Sequence, residues 1–235
     1  MRHHRDPQTL ADGPSVLDRM AEILAARGID RARVDALPDE PEPFSLEAAL
    51  SAGMPPRYRD AVADHPLVLA WTRQVAAQAA APSTGARRQV ATGPSLLIAG
   101  VTGAGKTHQA YGAIRVLVRA GLGVRWRATT AADLYAELRP SSDTDAERVL
   151  AAYSRVPLLI LDDLGAAKTS EFVEEQTYRL INRRYNAMLP TLITTNLRIR
   201  DLKAHLGDRV TSRLAEMTTR VEFEPVDRRR FPRAA

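Results

Sequence analysis

Gly100-Val101-Thr102-Gly103-Ala104-Gly105-Lys106-Thr107 fills the pattern G-x-x-x-x-G-K-[ST] at every position. The chemistry explains the residue types. Glycines let successive backbone N–H groups turn inward around phosphate oxygens, along a path that side chains would obstruct. A helix opening at the lysine presents its positive end to the same anion. Lys106 brings a mobile point charge to the outer phosphates, and the Thr107 hydroxyl is suited to ligate Mg²⁺. The segment predicts a site for ATP with Mg²⁺, contacted by Gly100, Thr102, Gly103, Ala104, Gly105, Lys106, Thr107 and His108. A glycine-rich turn beside an unrelated lysine is the other reading. Its context speaks against that, because the motif follows an apolar strand pattern and opens a helical one.

Two carboxylates supply the expected second half of such a site. Asp162-Asp163 ends the apolar run Leu158-Leu159-Ile160-Leu161. Asp162 is suited to hold Mg²⁺ through its water shell, and Asp163 to polarise an attacking water. The same pair could instead cap the turn at Leu164-Gly165. Asn196 follows Thr194-Thr195 at the end of another apolar run. A neutral amide there either orients water against the terminal phosphate without adding negative charge, or merely shapes the turn. Arg209 and Arg213 stand four apart on one helical face. Solvated ion pairs are the ordinary role of such residues. The other role is an arginine finger, a planar cation that offsets transition-state charge at a neighbouring subunit's ATP.

Strand–helix alternation is what must bring these groups together. Leu96-Leu97-Ile98-Ala99 reads as a buried parallel strand running into the glycines. Helices are expected over 106–120, around 131–138, over 171–188 and over about 202–217, with strands at 124–128, 158–161, 191–195 and 220–223. The alternation implies an α/β fold, a parallel five-stranded sheet flanked by helices. In such a sheet the strand carboxyl ends gather on the ligand side. Ahead of it, Val16, Leu17, Met20, Ile23 and Leu24 recur at helical spacing within 14–28, and Pro38, Pro41 and Pro43 then break regular structure. A second helix begins near Pro66, with Asp64 as a possible cap. Pro82-Ser83-Thr84-Gly85 and Thr92-Gly93-Pro94 read as a linker. The predicted division is a small helical region with linker over 1–85 and an ATPase domain over 86–235.

The 235 residues suffice for one α/β domain and a small appendage. No apolar run approaches the ~20 residues needed to span a bilayer. The start, Met1-Arg2-His3-His4-Arg5-Asp6-Pro7, lacks the apolar stretch of a signal peptide. There is no cysteine, which excludes disulfides and thiolate zinc sites. A cytoplasmic protein is expected. The net charge of +5 permits nucleic-acid binding. Much of the excess lies in Asp227-Arg228-Arg229-Arg230-Phe231-Pro232-Arg233, which would serve equally as a solubilising tail.

Taken in order, the phosphate loop, third-strand Asp162-Asp163, fourth-strand Asn196 and late arginines resemble AAA+ ATPases. More narrowly, the chain resembles the bacterial and phage DnaC/DnaI/IstB group of helicase loaders and transposition helpers. Four stretches carry the likeness. They are Leu158-Leu159-Ile160-Leu161-Asp162-Asp163-Leu164-Gly165, Leu180-Ile181-Asn182-Arg183-Arg184-Tyr185, Pro190-Thr191-Leu192-Ile193-Thr194-Thr195-Asn196-Leu197 and Asp208-Arg209-Val210-Thr211-Ser212-Arg213-Leu214. Ala52-Gly53-Met54-Pro55-Pro56-Arg57-Tyr58-Arg59 is similar to the segment that precedes the ATPase core in that group.

The resemblance implies a P-loop AAA+ (ASCE) sheet, ATP hydrolysis at subunit junctions, and self-association through those sites. It implies that Asn196 is the sensor, that Asp163 fills the position often held by glutamate, and that Arg213 is the finger with Arg209 close behind. One of Arg228, Arg229 or Arg230 would be a second sensor. The implied partners are a replicative hexameric DNA helicase, bound through the N-terminal region with 14–28 as candidate surface, and single-stranded DNA. Two departures qualify this. Aspartate at 163 is one methylene shorter than glutamate, so slow water activation is expected. Without cysteine, the zinc module of some loaders cannot be built in its thiolate form. A transposition helper acting on duplex DNA is the alternative reading. A small-molecule kinase, with a lid starting at Arg139-Pro140-Ser141-Ser142-Asp143, leaves Asn196 and the arginines unexplained. A nonhydrolytic, ATP-dependent binding module also stays open. No motif locates a DNA contact, Phe231 among its arginines being the one candidate.

Overall fold

The computed structural model describes residues 16–27, 45, 48, 50, 53–140 and 145–226. The chain divides into two compact units, Met1–Ser45 and Leu46–Ala235, and the expected boundary at 85/86 falls inside the second. In the first unit, helix α1 (Val16–Ala26) occupies the span where helical spacing predicts it, with Ile23 exposed and Leu24 half-buried.

Among the described residues the second unit contains five strands, β1 (Ser95–Ala99), β2 (Trp126–Thr130), β3 (Leu158–Asp162), β4 (Thr191–Thr195) and β5 (Thr218–Glu222). They form one parallel sheet in the order β2-β3-β4-β1-β5. Its α-helices with described bounds are α2 (Pro66–Gln78), α3 (Lys106–Arg119), α4 (Ala131–Leu138), α5 (Ala146–Arg155), α6 (Glu171–Asn186) and α7 (Leu202–Met217). Successive strand residues point to opposite faces, and both faces here are apolar. Leu96, Ile98, Leu158, Ile160, Leu192 and Val221 pack with α2 and α3 on one side. Leu97, Leu159, Leu161 and Ile193 pack with α4, α5, α6 and α7 on the other. That double burial is why the strands read as continuous apolar runs. Fully burying each such side chain contributes about 1.5–3 kcal/mol.

Several elements differ from the sequence expectation, β5 among them, which runs Thr218–Glu222 rather than 220–223. Strand β2 runs two residues later than 124–128, because pairing of Trp126 with Leu158 and of Thr130 with Asp162 sets its register. Helix α5 lies where no element is expected. Leu150 and Tyr153 are its buried large residues in a charged stretch, and the Asp145 carboxylate caps its start by accepting the Arg148 N–H at 3.0 Å. Helix α7 is broken at Gly207, whose φ of 77° is left-handed.

The stretch read as a linker is fastened to the core instead. Val68, Trp71 and Val75 of α2 are buried, and the Trp71 indole donates to the Pro94 carbonyl at 2.8 Å. Arg88 donates to the carbonyls of Ala76 and Ala79, satisfying orphan groups at the end of α2. Arg87 donates to the carbonyl of Gly121 at 2.7 Å. Composition marks a flexible stretch, but it does not show where two long arginine side chains will anchor. His65, rather than Asp64, caps α2, its Nδ1 accepting the Leu67 N–H at 3.3 Å.

Arg184 on α6 is fully buried and has no carboxylate partner among the described residues. Its guanidinium donates to the Tyr153 and Val156 carbonyls at the end of α5, to the Pro190 carbonyl, and to the Thr191 hydroxyl, at 2.8–2.9 Å. Burial pulls its pKa down to about 9, still leaving the cation charged at neutral pH. One side chain thus closes the C-terminus of α5 and ties α6 to the start of β4. Replacing it strands several buried carbonyls. Arg184→Met is expected to cost about 3 kcal/mol or more, and Arg184→Lys somewhat less, because an ammonium keeps part of the bonding although it cannot reach all four acceptors. Urea unfolding, as a shift in midpoint at unchanged slope, checks this.

Candidate active site

The strand order decides the site. With β4 between β1 and β3, the carboxyl ends that carry the phosphate loop, Asn196 and Asp162-Asp163 lie side by side. The Gly100 N–H donates to the Thr195 carbonyl at 3.2 Å, and the Leu164 N–H to the Thr194 carbonyl at 2.8 Å, so both loops hang from β4.

The loop leaves β1 at Ala99 and enters α3 at Lys106. Gly103 and Gly105 have φ of 86° and 90°, a left-handed path that an L side chain would strain. Gly105 precedes the first turn of α3 and makes no side-chain cap there, an arrangement that suits anion binding at a helix N-terminus. Lys106 is 6% exposed. Its ammonium donates to the Gly100 and Val101 carbonyls, both at 2.9 Å, and to Asn196 Oδ1 at 2.7 Å. The Asn196 amide donates in turn to Asp163 Oδ1 at 2.9 Å. A single neutral side chain therefore bridges the loop cation to the carboxylate expected to act on water.

Asp162 and Asp163 point to different work. The Thr107 hydroxyl lies 3.0 and 3.1 Å from the two Asp162 oxygens, and Thr194 also bonds that carboxylate. Burial raises the Asp162 pKa, and the bonds from Thr194 and Thr107 partly oppose the shift. Asp163 has a left-handed φ of 55°, held by its N–H donating to the Thr194 hydroxyl at 3.0 Å. Aspartate tolerates that region better than most residues, and the turn swings its carboxylate toward Asn196. Thr194 thus serves both acids, a role that sequence reading missed. Its only signal was a hydroxyl residue at the end of the apolar run beside Asn196.

Among the described residues no three His, Asp or Glu side chains cluster as a metal site. A hydroxyl and one carboxylate, Thr107 and Asp162, suit Mg²⁺ only when phosphate oxygens and water complete the shell. The donor set therefore fits a metal that arrives with nucleotide.

Other predicted residues stand elsewhere. His108 Nε2 accepts the Val62 N–H at 3.1 Å, which joins α3 to the segment before α2. Gln109 accepts the N–H groups of Asp64 and His65. Gly112 lets that segment come so near that a Cβ would sit 2.3 Å from Ala63 N. Arg209 and Arg213 contact α6: Arg209 lies over the Tyr178 ring, and Arg213 over that of Tyr185. Arg228, Arg229, Arg230 and Phe231 lie outside the described residues.

A buried carboxylate whose folded pKa is raised binds more protons folded than unfolded. Its penalty is absent below the unfolded value of 3.8 and complete above the raised folded value. At pH 7 Asp162 is thus a stability cost. Asp162→Asn removes the charge, and the two threonine hydroxyls can rotate to suit the amide. The variant is expected to melt a few degrees higher at pH 7, with the gain disappearing on acidification. Thermal unfolding at several pH values reads this.

The profile of the family of IstB-like ATP binding proteins matches residues 86–220. The replicative helicase loader DnaC of Escherichia coli K12 is 28% identical over 123 residues, 51% of this chain and 49% of that protein. The chain thus spans about half the length of the curated relatives it matches. The solved DnaC helicase loader superposes with a TM-score of 0.59 at 26% identity, covering 72% of this chain and all of that one. DnaI gives 0.58 at 21% identity over 77% of this chain and 95% of its own, a likeness of fold. The parallel five-stranded arrangement is that of these P-loop AAA+ neighbours. The profile match takes in more than half of the sequence, and the chain belongs to the family of IstB-like ATP-binding proteins.

Proposed function

We propose that this chain is an AAA+ ATPase that helps place a replicative hexameric DNA helicase on single-stranded DNA in the cytoplasm. The likeness to the solved DnaC helicase loader, over the whole of that chain, carries the reading. The proposed helicase contact is the N-terminal region, with α1 as candidate surface, since its Ile23 is solvent-exposed. A transposition helper on duplex DNA is the second reading, favoured by the family profile itself.

The proposed chemistry follows from the bridged groups. Loop N–H groups and Lys106 bind the phosphates, and the positive end of α3 favours their charge. Thr107 and Asp162 are the residues that would hold Mg²⁺, which supplies neutralisation of phosphate charge when bound. Asp163 orients and polarises the attacking water, with Asn196 keeping its carboxylate in register beside the terminal phosphate. In this reading Arg213, with Arg209 near it, serves the nucleotide of an adjoining subunit and makes turnover depend on self-association.

Lys106→Ala is expected to lose nucleotide-dependent behaviour altogether, whereas Asp163→Asn keeps ATP binding and loses hydrolysis by about 10²-fold or more. Turnover, helicase pull-down and single-strand binding, measured together with and without ATP, check both. Helicase association with an ATP-dependent grip on single strands supports the loader. Hydrolysis without helicase association, with ATP-dependent assembly on duplex DNA, supports the transposition helper instead.

A further inference from the structure

The facing surfaces of α6 and α7 carry two arginine–tyrosine pairs. The guanidinium carbon of Arg209 lies 4.7 Å from the centre of the Tyr178 ring, and that of Arg213 lies 4.6 Å from the Tyr185 ring. Arg213 is held more fully. Its Nε donates to Asn182 Oδ1 at 3.3 Å, and its Nη1 stands 3.7 Å from Glu216 Oε1. Glu216 is otherwise engaged: its Oε2 accepts the Tyr185 hydroxyl at 2.5 Å, and its Oε1 accepts the Ser212 hydroxyl at 3.3 Å.

This arrangement differs from an ordinary surface ion pair. A strong arginine–carboxylate pair is bidentate and uses both oxygens. Here the tyrosine hydroxyl occupies one oxygen, and the guanidinium keeps a single long contact to the other. The guanidinium carbon lies over the ring of the same tyrosine, where quadrupole attraction favours a cation. The Arg213 side chain remains 33% exposed, so part of the fork stays available to an outside anion. A flexible arginine must give up rotamer freedom when it engages a phosphate, and stacking removes that freedom beforehand.

We infer that Tyr185, together with Asn182, is a positioning residue that orders Arg213 before a second subunit docks. The inference rests on the finger role given to Arg213 above. Tyr185 acts on the neighbour's reaction through that guanidinium and does nothing for the nucleotide of its own subunit.

Mixed assemblies of full-length chains test this, with ATP, Mg²⁺ and single-stranded DNA present. Lys106→Ala subunits lack a working phosphate loop but offer a finger, and Arg213→Ala subunits have the reverse defect. Mixing the two should restore turnover that neither shows alone. Adding Tyr185→Leu to the Lys106→Ala subunit should lower the restored kcat about tenfold or more. Adding it to the Arg213→Ala subunit should change kcat less than about twofold. Tyr185→Phe in the finger-donating subunit keeps the ring but frees one Glu216 oxygen, and should lower the restored kcat by less than Tyr185→Leu does. Unfolding midpoints of each variant confirm that the chains are folded. Equal losses from either subunit, or no loss from either, overturn the positioning role and leave the finger intact. If the two parent variants restore no turnover while the wild type hydrolyses ATP, the finger reading falls and the positioning role falls with it.

Discussion

The insertion of β4 between β1 and β3 is the constraint on which the rest of the site depends. Without that strand the phosphate loop and the paired aspartates would end neighbouring strands with nothing between them. With it, Asn196 sits where its carbonyl oxygen meets the Lys106 ammonium and its amide meets Asp163. The bridging group has to be neutral and two-faced. A carboxylate there would repel Asp163, and an aliphatic residue would leave a buried cation short of acceptors. The position is set by pairing of Ala99 with Thr195, which aligns the ends of β1 and β4.

A fully buried arginine and a half-buried aspartate show opposite solutions to one problem. Arg184 lies far from the phosphate loop in sequence and structure, and is compensated by carbonyls that α5 and the start of β4 would otherwise leave open. It serves stability. Asp162 is compensated only partly, by two threonine hydroxyls, and burial raises its pKa. Such a carboxylate is poised to gain more from an arriving cation than a well-satisfied one would be. The difference between a finished network and an unfinished one separates the two charges.

Residues just after Lys106 and Thr107 face the segment that leads into α2. His108 and Gln109 accept its backbone N–H groups, Tyr111 stacks on Tyr58 at 4.5 Å, and Gly112 admits it at close range. Helix α3 is therefore also the dock for residues 58–65 of the same unit. Bonds to the rigid first turns of α3 explain why residues 54–65 belong with the ATPase fold.

The phosphate loop, the acidic strand end and the strand–helix rhythm were legible in the sequence because each is a local pattern. Glycine spacing, a lysine at a helix start and apolar runs ended by polar residues need no knowledge of distant partners. Helix α5 carries a local signal too, with Val149, Leu150 and Tyr153 at helical spacing, but it is short and lies between charged residues. The anchors of the 82–94 stretch are arginine side chains reaching other elements, which composition does not show. Only the tertiary structure decided that Asn196 bridges Lys106 and Asp163, that Thr194 serves both aspartates, and that Arg213 rests on Tyr185. Each of these joins residues brought together by strand order or helix packing. Sequence spacing carries no record of such contacts, since the chain between them can vary without moving the atoms that meet.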